Sequence, residues 1–404
     1  MHGVSHLIPS HQGRPSDDPI FALNKEASSR KALGEAIING TVGALLDDTG
    51  KLAILQAAAQ AVRDVPSEEW APYAPIAGSG DFLAAVVADL FSKEPSMHAC
   101  AASAATPGGS GALRLALTNY LEPGQSLLTT SFFWGPYQTL CDEADRKLAT
   151  FAMFDAAGGL DVDALDHALE ARIAEQGRVL LFLNDPCHNP TGYSMRPEEW
   201  RAVVERLLAH AKEAPVTLLV DVAYFAYSVG DPRAFLAELR PLLGRVGLLF
   251  AWSASKTFTH YGLRVGALVA CVPDEADRVA TEAALSYSCR GVWSNCSRGG
   301  MRAITRLLTD TSLAAGCDQE REGLKALLGA RVDAFNAVAK GRLHYPRYEG
   351  GFFVTVFVDD AKERAARMKE RGVFVVPQKG ALRVALCSVA ARDVERLVDA
   401  LADA

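Results

Sequence analysis

Four short apolar runs constrain this chain more than anything else in it: Gln125-Ser-Leu-Leu, Val179-Leu-Leu-Phe-Leu, Val216-Thr-Leu-Leu-Val and Gly247-Leu-Leu-Phe-Ala. Each is of strand length and shows no alternation of polar and apolar residues, so both of its faces must be buried. Longer stretches with helical periodicity separate them. A strand buried on both sides needs a layer above it and a layer below, and those helices supply the layers. The pattern predicts an α/β fold, a mostly parallel sheet covered by helices. At 404 residues the chain is long enough for one large domain of this kind and a smaller one.

The flanks read differently. Residues 1–17 are polar and rich in Ser, His, Gly and Pro, which predicts a loose arm. A helix is expected over 26–38, a turn at Asp47-Asp-Thr-Gly50, and a second helix over 51–62. Beyond Arg302 a long helix over 320–338 precedes the β run Gly350-Gly-Phe-Phe-Val-Thr-Val-Phe-Val. A helix over 361–371, the runs Gly372-Val-Phe-Val-Val and Leu382-Arg-Val-Ala-Leu, and a last helix to Ala404 complete a small α+β domain. Net charge is −7, which points to neither a nucleic-acid nor a membrane partner. The eight cysteines are scattered without metal-ligand spacing, so no metal is expected and the thiols read as reduced. No run is apolar enough to span a bilayer and the N-terminus lacks a signal-peptide pattern, so a cytoplasmic location is expected.

The residues that carry chemistry stand where the apolar runs end. Lys256 follows Gly247–Trp252 in Ser253-Ala-Ser255-Lys256, and Arg264 comes eight residues later. Asp221 ends the run that begins at Val216, with Tyr224 just beyond it. An amine, a carboxylate, hydroxyls and a guanidinium at strand ends are the parts that hold pyridoxal phosphate as a Schiff base. The carboxylate keeps the pyridine nitrogen protonated, so that the ring accepts carbanion electrons, and Tyr224 can approach the ring O3′. Asn189, in the turn Asn189-Pro-Thr-Gly192, can donate to the same oxygen. The glycine-rich turn Gly108-Gly109-Ser110-Gly111 opens a helix, where free N–H groups favour a phosphate. Trp134 offers a flat face to the ring. Arg383, unusual in an apolar run, is a candidate for a substrate α-carboxylate. Arg290 reads equally as a ligand for a second carboxylate or as a solvated loop arginine. Taken singly, Asp221 is also a strand-end cap and Trp134 a core side chain; the ordered set carries the argument.

That ordered set resembles the class I aminotransferases of the fold-type I pyridoxal phosphate enzymes, closest to the aspartate and aromatic amino acid branch. The resemblance covers nearly the whole chain, from Asp18-Pro-Ile-Phe-Ala-Leu onward. It implies a large domain built on a mostly parallel seven-stranded sheet and a smaller α+β domain. Residues 1–50 would be the arm and a small-domain segment, 51–302 the cofactor-binding domain, and 303–404 the small domain. It further implies a homodimer with shared active sites, in which Tyr73 reaches the phosphate of the neighbouring subunit and Gly43 lies near the substrate. By the same resemblance Arg383 binds the α-carboxylate, and Arg290, from the other subunit, binds a distal carboxylate. The expected activity is transamination between an L-amino acid and a 2-oxo acid, with glutamate or 2-oxoglutarate as one partner.

Departures cluster around the substrate side: Leu45-Leu46 after Gly43-Ala44, His260 and Gly262 between Lys256 and Arg264, and Gly-Val-Trp after Arg290. They leave the amino donor open. They also leave room for a second chemistry on the same fold, a β-elimination lyase acting on cysteine conjugates. A DNA-binding regulator is disfavoured, because no helix-turn-helix fits in the seventeen polar residues before the resemblance begins.

Overall fold

The apolar runs become the interior of one sheet. The computed structural model describes residues 5–15 and 18–403. Its first strands are β1 (Ile38–Asn39), β2 (Ala101–Pro107), β3 (Ser126–Thr130), β4 (Lys147–Phe151), β5 (Val179–Asn184) and β6 (Val216–Asp221). They are followed by β7 (Gly247–Ser253), β8 (Val265–Cys271), β9 (Val354–Phe357), β10 (Val373–Phe374), β11 (Val376–Gln378) and β12 (Ala381–Val384). Strands β2 to β8 form a seven-stranded sheet in the order β2-β8-β7-β6-β5-β3-β4. Every residue of β3, β5 and β6 is buried, as their unbroken apolar patterns require. The edge strand β4 is largely open to solvent, and β2 is built mostly of alanine. Neither shows the hydrophobic signature of the central strands.

Topology gathers the site. Strands β3 to β7 pair in parallel, whereas β8 runs antiparallel to both β7 and β2. The beginning of β8 therefore lies at the same sheet edge as the ends of β2, β5, β6 and β7. Register places Asn184 opposite Asp221, and both Thr106 and Ser253 opposite Gly266. Ligands in open α/β sheets bind at this carboxyl edge.

The C-terminal part builds a separate antiparallel sheet, β11-β12-β9, and β1 pairs in parallel with β10. Ile38, Phe335, Val356, Met368, Leu382 and Leu397 share the hydrophobic cluster beneath it. One helix, Thr311–Ala339, runs from the first core to the second over 29 residues, a rise of roughly 44 Å. Cys317 near its start packs with the large sheet, and Phe335 near its end packs with the small one.

Several boundaries differ from expectation, each for a local reason. The first long helix is Pro19–Ala32 rather than 26–38, because Asp18 accepts the Ile20 N–H at 2.7 Å and Pro19 occupies the first turn. The second begins at Gln56, since Leu52 bridges Leu46 and Leu55 gives its N–H to Thr259 Oγ1 at 3.0 Å. The long helix starts at Thr311, not 320, because Asp310 caps both Ser312 and Leu313. The β run at 350 yields a strand only over Val354–Phe357. Of the expected N-terminal arm, residues 1–4 and 16–17 lie outside the described residues; Pro9–His11 forms a single 3-10 turn and Arg14 pairs with Glu143. Among the described residues no helix is long and apolar enough to cross a membrane, and no group of side chains could hold a metal ion.

Candidate active site

The carboxyl edge of the large sheet opens into a cavity of about 140 Å³. Gly109, Ser110, Trp134, Asn189, Asp221, Tyr224, Ser253, Ser255, Lys256 and Arg264 line it, all expected from the sequence. Asn184, Leu113 and Ala223 line it too, and were not expected.

Asp221 closes β6 and is buried. Its Oδ2 accepts the Tyr137 hydroxyl at 2.9 Å and its Oδ1 accepts the Ala223 N–H at 3.2 Å. Burial pushes this carboxyl above the usual carboxylate range, while those two bonds and nearby Lys256 pull it back. Lys256 shows the opposite displacement. Burial holds its amine below the ordinary lysine range, with Asp221 opposing the shift and Arg264 adding to it. A lysine displaced downward is more often neutral and so better able to attack a carbonyl or take a proton.

The anion cradle has two halves. Pro107 precedes the helix Gly108–Tyr120 and offers no side-chain cap, so the first-turn N–H groups remain available. Opposite them, Arg264 Nη1 donates to Ser255 Oγ at 3.2 Å and to the Tyr261 carbonyl at 3.0 Å. Ser253 Oγ accepts the Ser255 N–H at 3.2 Å. Gly108 has φ +72°, and a β-carbon there would run into the Arg264 guanidinium. Gly111 sits behind the wall, where a β-carbon would strike Pro107 and Thr106, so it serves close packing of the helix start on β2.

On the remaining side, Asn189 Nδ2 donates to the Tyr224 hydroxyl at 3.3 Å, and Asn189 Oδ1 has no partner among the described residues. Lys256 Nζ lies 5.3 Å from the centre of the Tyr224 ring. Burial pushes the Tyr224 phenol well above its usual range, so it stays protonated. Trp134 meets Tyr137 edge-on at 5.9 Å. An open helix start with a guanidinium, a buried carboxylate and a displaced amine around one cavity fit the phosphate, pyridine nitrogen and aldehyde of pyridoxal phosphate.

The substrate candidates lie elsewhere. Arg383, in β12, is 5% exposed, donates through Nη2 to the Thr41 carbonyl and lies over the Phe353 ring at 4.9 Å. Its Nε has no partner among the described residues. Phe353 in turn packs on the cavity-lining Tyr224 at 5.7 Å, and Arg383 itself is not part of the lining. Gly43 faces the same ring, and a β-carbon there would collide with it. Arg290 is exposed near the end of its helix and donates to Ser294 Oγ at 2.8 Å. Tyr73 is 90% exposed. Within one chain neither reaches the cavity lining.

Two structurally important residues were missed. Asn184 ends an apolar run just as Asp221 does; its Nδ2 donates to the Asp221 carbonyl at 2.7 Å and its Oδ1 accepts the Asn189 N–H at 2.6 Å. The strand-end signal that singled out Asp221 singles it out equally. Tyr137 carries no such signal in sequence, because its partner is distant along the chain.

Comparison with known proteins places these features in a family. Residues 35–401 match the family described as aminotransferase class I and II. The aromatic-amino-acid aminotransferase of Pseudomonas aeruginosa is 29% identical over 96% of this chain and 97% of its own length. The aspartate aminotransferase of Escherichia coli is 28% identical over 89% of this chain and 91% of its own. A crystal structure of an aminotransferase from Anaerococcus prevotii superposes with a TM-score of 0.93 at 31% identity, covering 99% of each chain.

Proposed function

The chain belongs to the class I and II aminotransferase family and is an aminotransferase; from that premise we propose that it moves an amino group between an L-amino acid and a 2-oxo acid, with glutamate or 2-oxoglutarate as one partner and a dicarboxylic or aromatic amino acid as the other. The family implies pyridoxal phosphate. One observation carries the reading: a displaced amine, Lys256, and a buried carboxylate, Asp221, share a cavity with an open helix start and Arg264.

When bound, the cofactor supplies an electron sink for the carbanion formed at the substrate Cα. The N–H groups at Gly109, Ser110 and Gly111, the hydroxyls of Ser253 and Ser255, and Arg264 would hold the phosphate. Asp221 would keep the pyridine nitrogen protonated, and Asn189 and Tyr224 would hold the phenolic oxygen. Trp134 covers the ring. Lys256 would carry the cofactor, and its freed amine would act as the general base that moves the proton at the substrate Cα. Arg383 orients the α-carboxylate, with Gly43 beside it. In this reading residues 51–302 form the cofactor-binding domain, and 1–50 with 303–404 form the part that carries Arg383. The enzyme works in the cytoplasm as a homodimer, with Tyr73 and Arg290 completing the partner's site; their exposure in the single chain supports that arrangement.

The test is an absorbance titration of the cofactor-loaded protein with one amino acid at a time and no oxo acid. L-glutamate is expected to replace the visible band of the lysine-bound cofactor by the near-ultraviolet band of its aminated form, and the rates rank the donors. If glutamate, aspartate and aromatic amino acids all leave the band unchanged, the reading fails. Release of pyruvate and ammonia from a cysteine conjugate would then favour elimination chemistry.

A further inference from the structure

Lys256 stands on a helix too short to hold itself. The helix is Ala254–Thr257, a single turn, and one turn in isolation costs more in backbone entropy than its hydrogen bonds return. The chain leaves it through Thr259 at φ +54°, a conformation that side chains other than glycine rarely adopt, and reaches Arg264 at φ +56°. The turn must therefore be held from outside.

The contacts that hold it can be followed group by group. At its start, Ser253 Oγ accepts the Ser255 N–H, and Thr257 Oγ1 donates back to the Ser253 carbonyl at 3.2 Å. The Ala254 carbonyl accepts the Phe258 N–H at 3.0 Å and the Lys256 carbonyl accepts the Thr259 N–H at 3.1 Å. Beyond them, the Thr257 carbonyl accepts Arg321 Nε at 2.9 Å.

Arg321 comes from the long helix Thr311–Ala339, and all of its donor arms are engaged. Nη1 meets Asp318 Oδ1 at 2.6 Å and Nη2 meets Cys317 Sγ at 3.3 Å, while the guanidinium lies 5.3 Å from the centre of the Phe258 ring. Its side chain is only 14% exposed. A flat fork that binds a carbonyl through one edge and an aromatic face through its plane is specific to arginine; a lysine ammonium can do the first but not the second. Further along the same helix, fully buried Arg331 donates to the Cys387 carbonyl at 2.6 Å and to the Leu46 carbonyl at 2.8 Å. One rigid element thus fastens both the Lys256 turn and the segment that contributes Thr41 and Gly43.

We propose that Arg321 is a positioning residue for Lys256, fixing the lysine turn through the Thr257 carbonyl and the Phe258 ring so that the amine meets its carbonyl partner in one orientation. The inference rests on Lys256 being the reactive amine. Small displacements of a reacting group cost up to about 10²-fold in rate, so the effect should appear in reactivity at Lys256 and not in substrate affinity.

The experiment follows capture of pyridoxal phosphate by the cofactor-free protein in stopped flow, together with the spectral pKa of the lysine-bound band and the kcat and KM for glutamate. Arg321→Met is expected to slow capture and lower kcat by roughly 10- to 100-fold, to shift the spectral pKa, and to leave KM within about twofold. Arg321→Lys should fall between Met and wild type. Asp318→Asn, which leaves the Thr257 bond in place, should match wild type. Wild-type capture rate and spectral pKa in folded Arg321→Met, or losses that merely track the folded fraction, would overturn the proposal. If the Met variant does not fold, Arg321→Lys decides: a capture rate equal to wild type sinks the idea. Lys256→Ala keeps the two claims apart. If it captures the cofactor with an unchanged band, the reading of Lys256 itself has failed; if it does not while the Arg321 variants behave as wild type, only the positioning role is lost.

Discussion

Two regions of the molecule differ in how far a single chain brings their side chains together. At the carboxyl edge of the large sheet, side chains from separate strands and loops converge on one cavity within a single chain, and Asp221, Asn184, Tyr137, Asn189 and Tyr224 hydrogen-bond one another in pairs, with Asn189 Oδ1 left over among the described residues. On the substrate side, Arg383 is buried against Phe353 with one nitrogen unpaired among the described residues, while Arg290 and Tyr73 point outward. The first region converges because strand ends, a helix start and the adjoining loops meet at one edge of the sheet. In the second, two of the three side chains are exposed and do not reach the cavity. Within one chain the residues proposed to hold the cofactor converge, and those proposed to hold the substrate do not.

The sharpest way to break this contrast is at the cradle. Lys256→Ala should reduce the single-turnover rate with glutamate by at least roughly 10³- to 10⁴-fold, because no other amine among the described residues lines the cavity. Retention of more than a few per cent of the rate would show that the cradle is not where the chemistry occurs. Next comes Arg383→Lys, which removes a planar fork from a buried site. A fall in kcat/KM of about 10²- to 10³-fold is expected, and an unchanged value would remove Arg383 from the clamp.

A third prediction concerns stability on the cradle side. Burial raises the Asp185 carboxyl to about 7, with bonds from Met195 N–H and Trp200 Nε1 opposing the shift. Between the unfolded value of 3.8 and about 7, the unfolded chain is ionised while the folded one keeps its proton. Stability therefore falls as pH rises through that window, and the full cost, on the order of 4 kcal/mol, is present above it. Urea midpoints of wild type and Asp185→Asn, compared at pH 5 and pH 8, should diverge by this sign. Comparison at each pH cancels other titrations, including His188, which burial holds neutral down to about pH 3. Parallel midpoints would show that Asp185 is ionised throughout.

The smallest effect should be on the open side. Arg290→Ala should change stability by no more than about 0.5 kcal/mol, since the side chain is exposed. Its activity toward dicarboxylic donors should nevertheless drop. If sites are shared as proposed, mixing inactive Lys256→Ala chains with Arg290→Ala chains should then recover activity, because a hybrid dimer would contain one intact site. Absence of recovery in a mixture shown to exchange subunits would remove the shared site.

Much of the cradle was legible in sequence. Asp221, Ser253 and Asn189 follow apolar runs directly or closely, and a polar residue ending a buried strand has few places to go other than the ligand edge. Asn184 gave the same signal and could have been read. Tyr137 and Arg321 could not, because their contacts are with residues distant along the chain, Asp221 for one and Thr257 with Phe258 for the other. Strands β2 and β4 were obscured for a different reason: one is alanine-rich and the other is an open edge, so neither needs a strong apolar pattern.

By itself, then, the sequence determined the class of fold, the order of the strands that carry chemistry and the residue types at their ends. These follow from local rules of burial, periodicity and turn formation that act over a few residues. Tertiary structure alone decided the reversal of β8 that brings Arg264 to the cavity, the packing of Arg383 and Gly43 on Phe353, and the arginine that fastens the Lys256 turn. Those depend on which surfaces meet when helices dock on the sheet, a choice made by the packing of the whole chain and written in no single stretch of it.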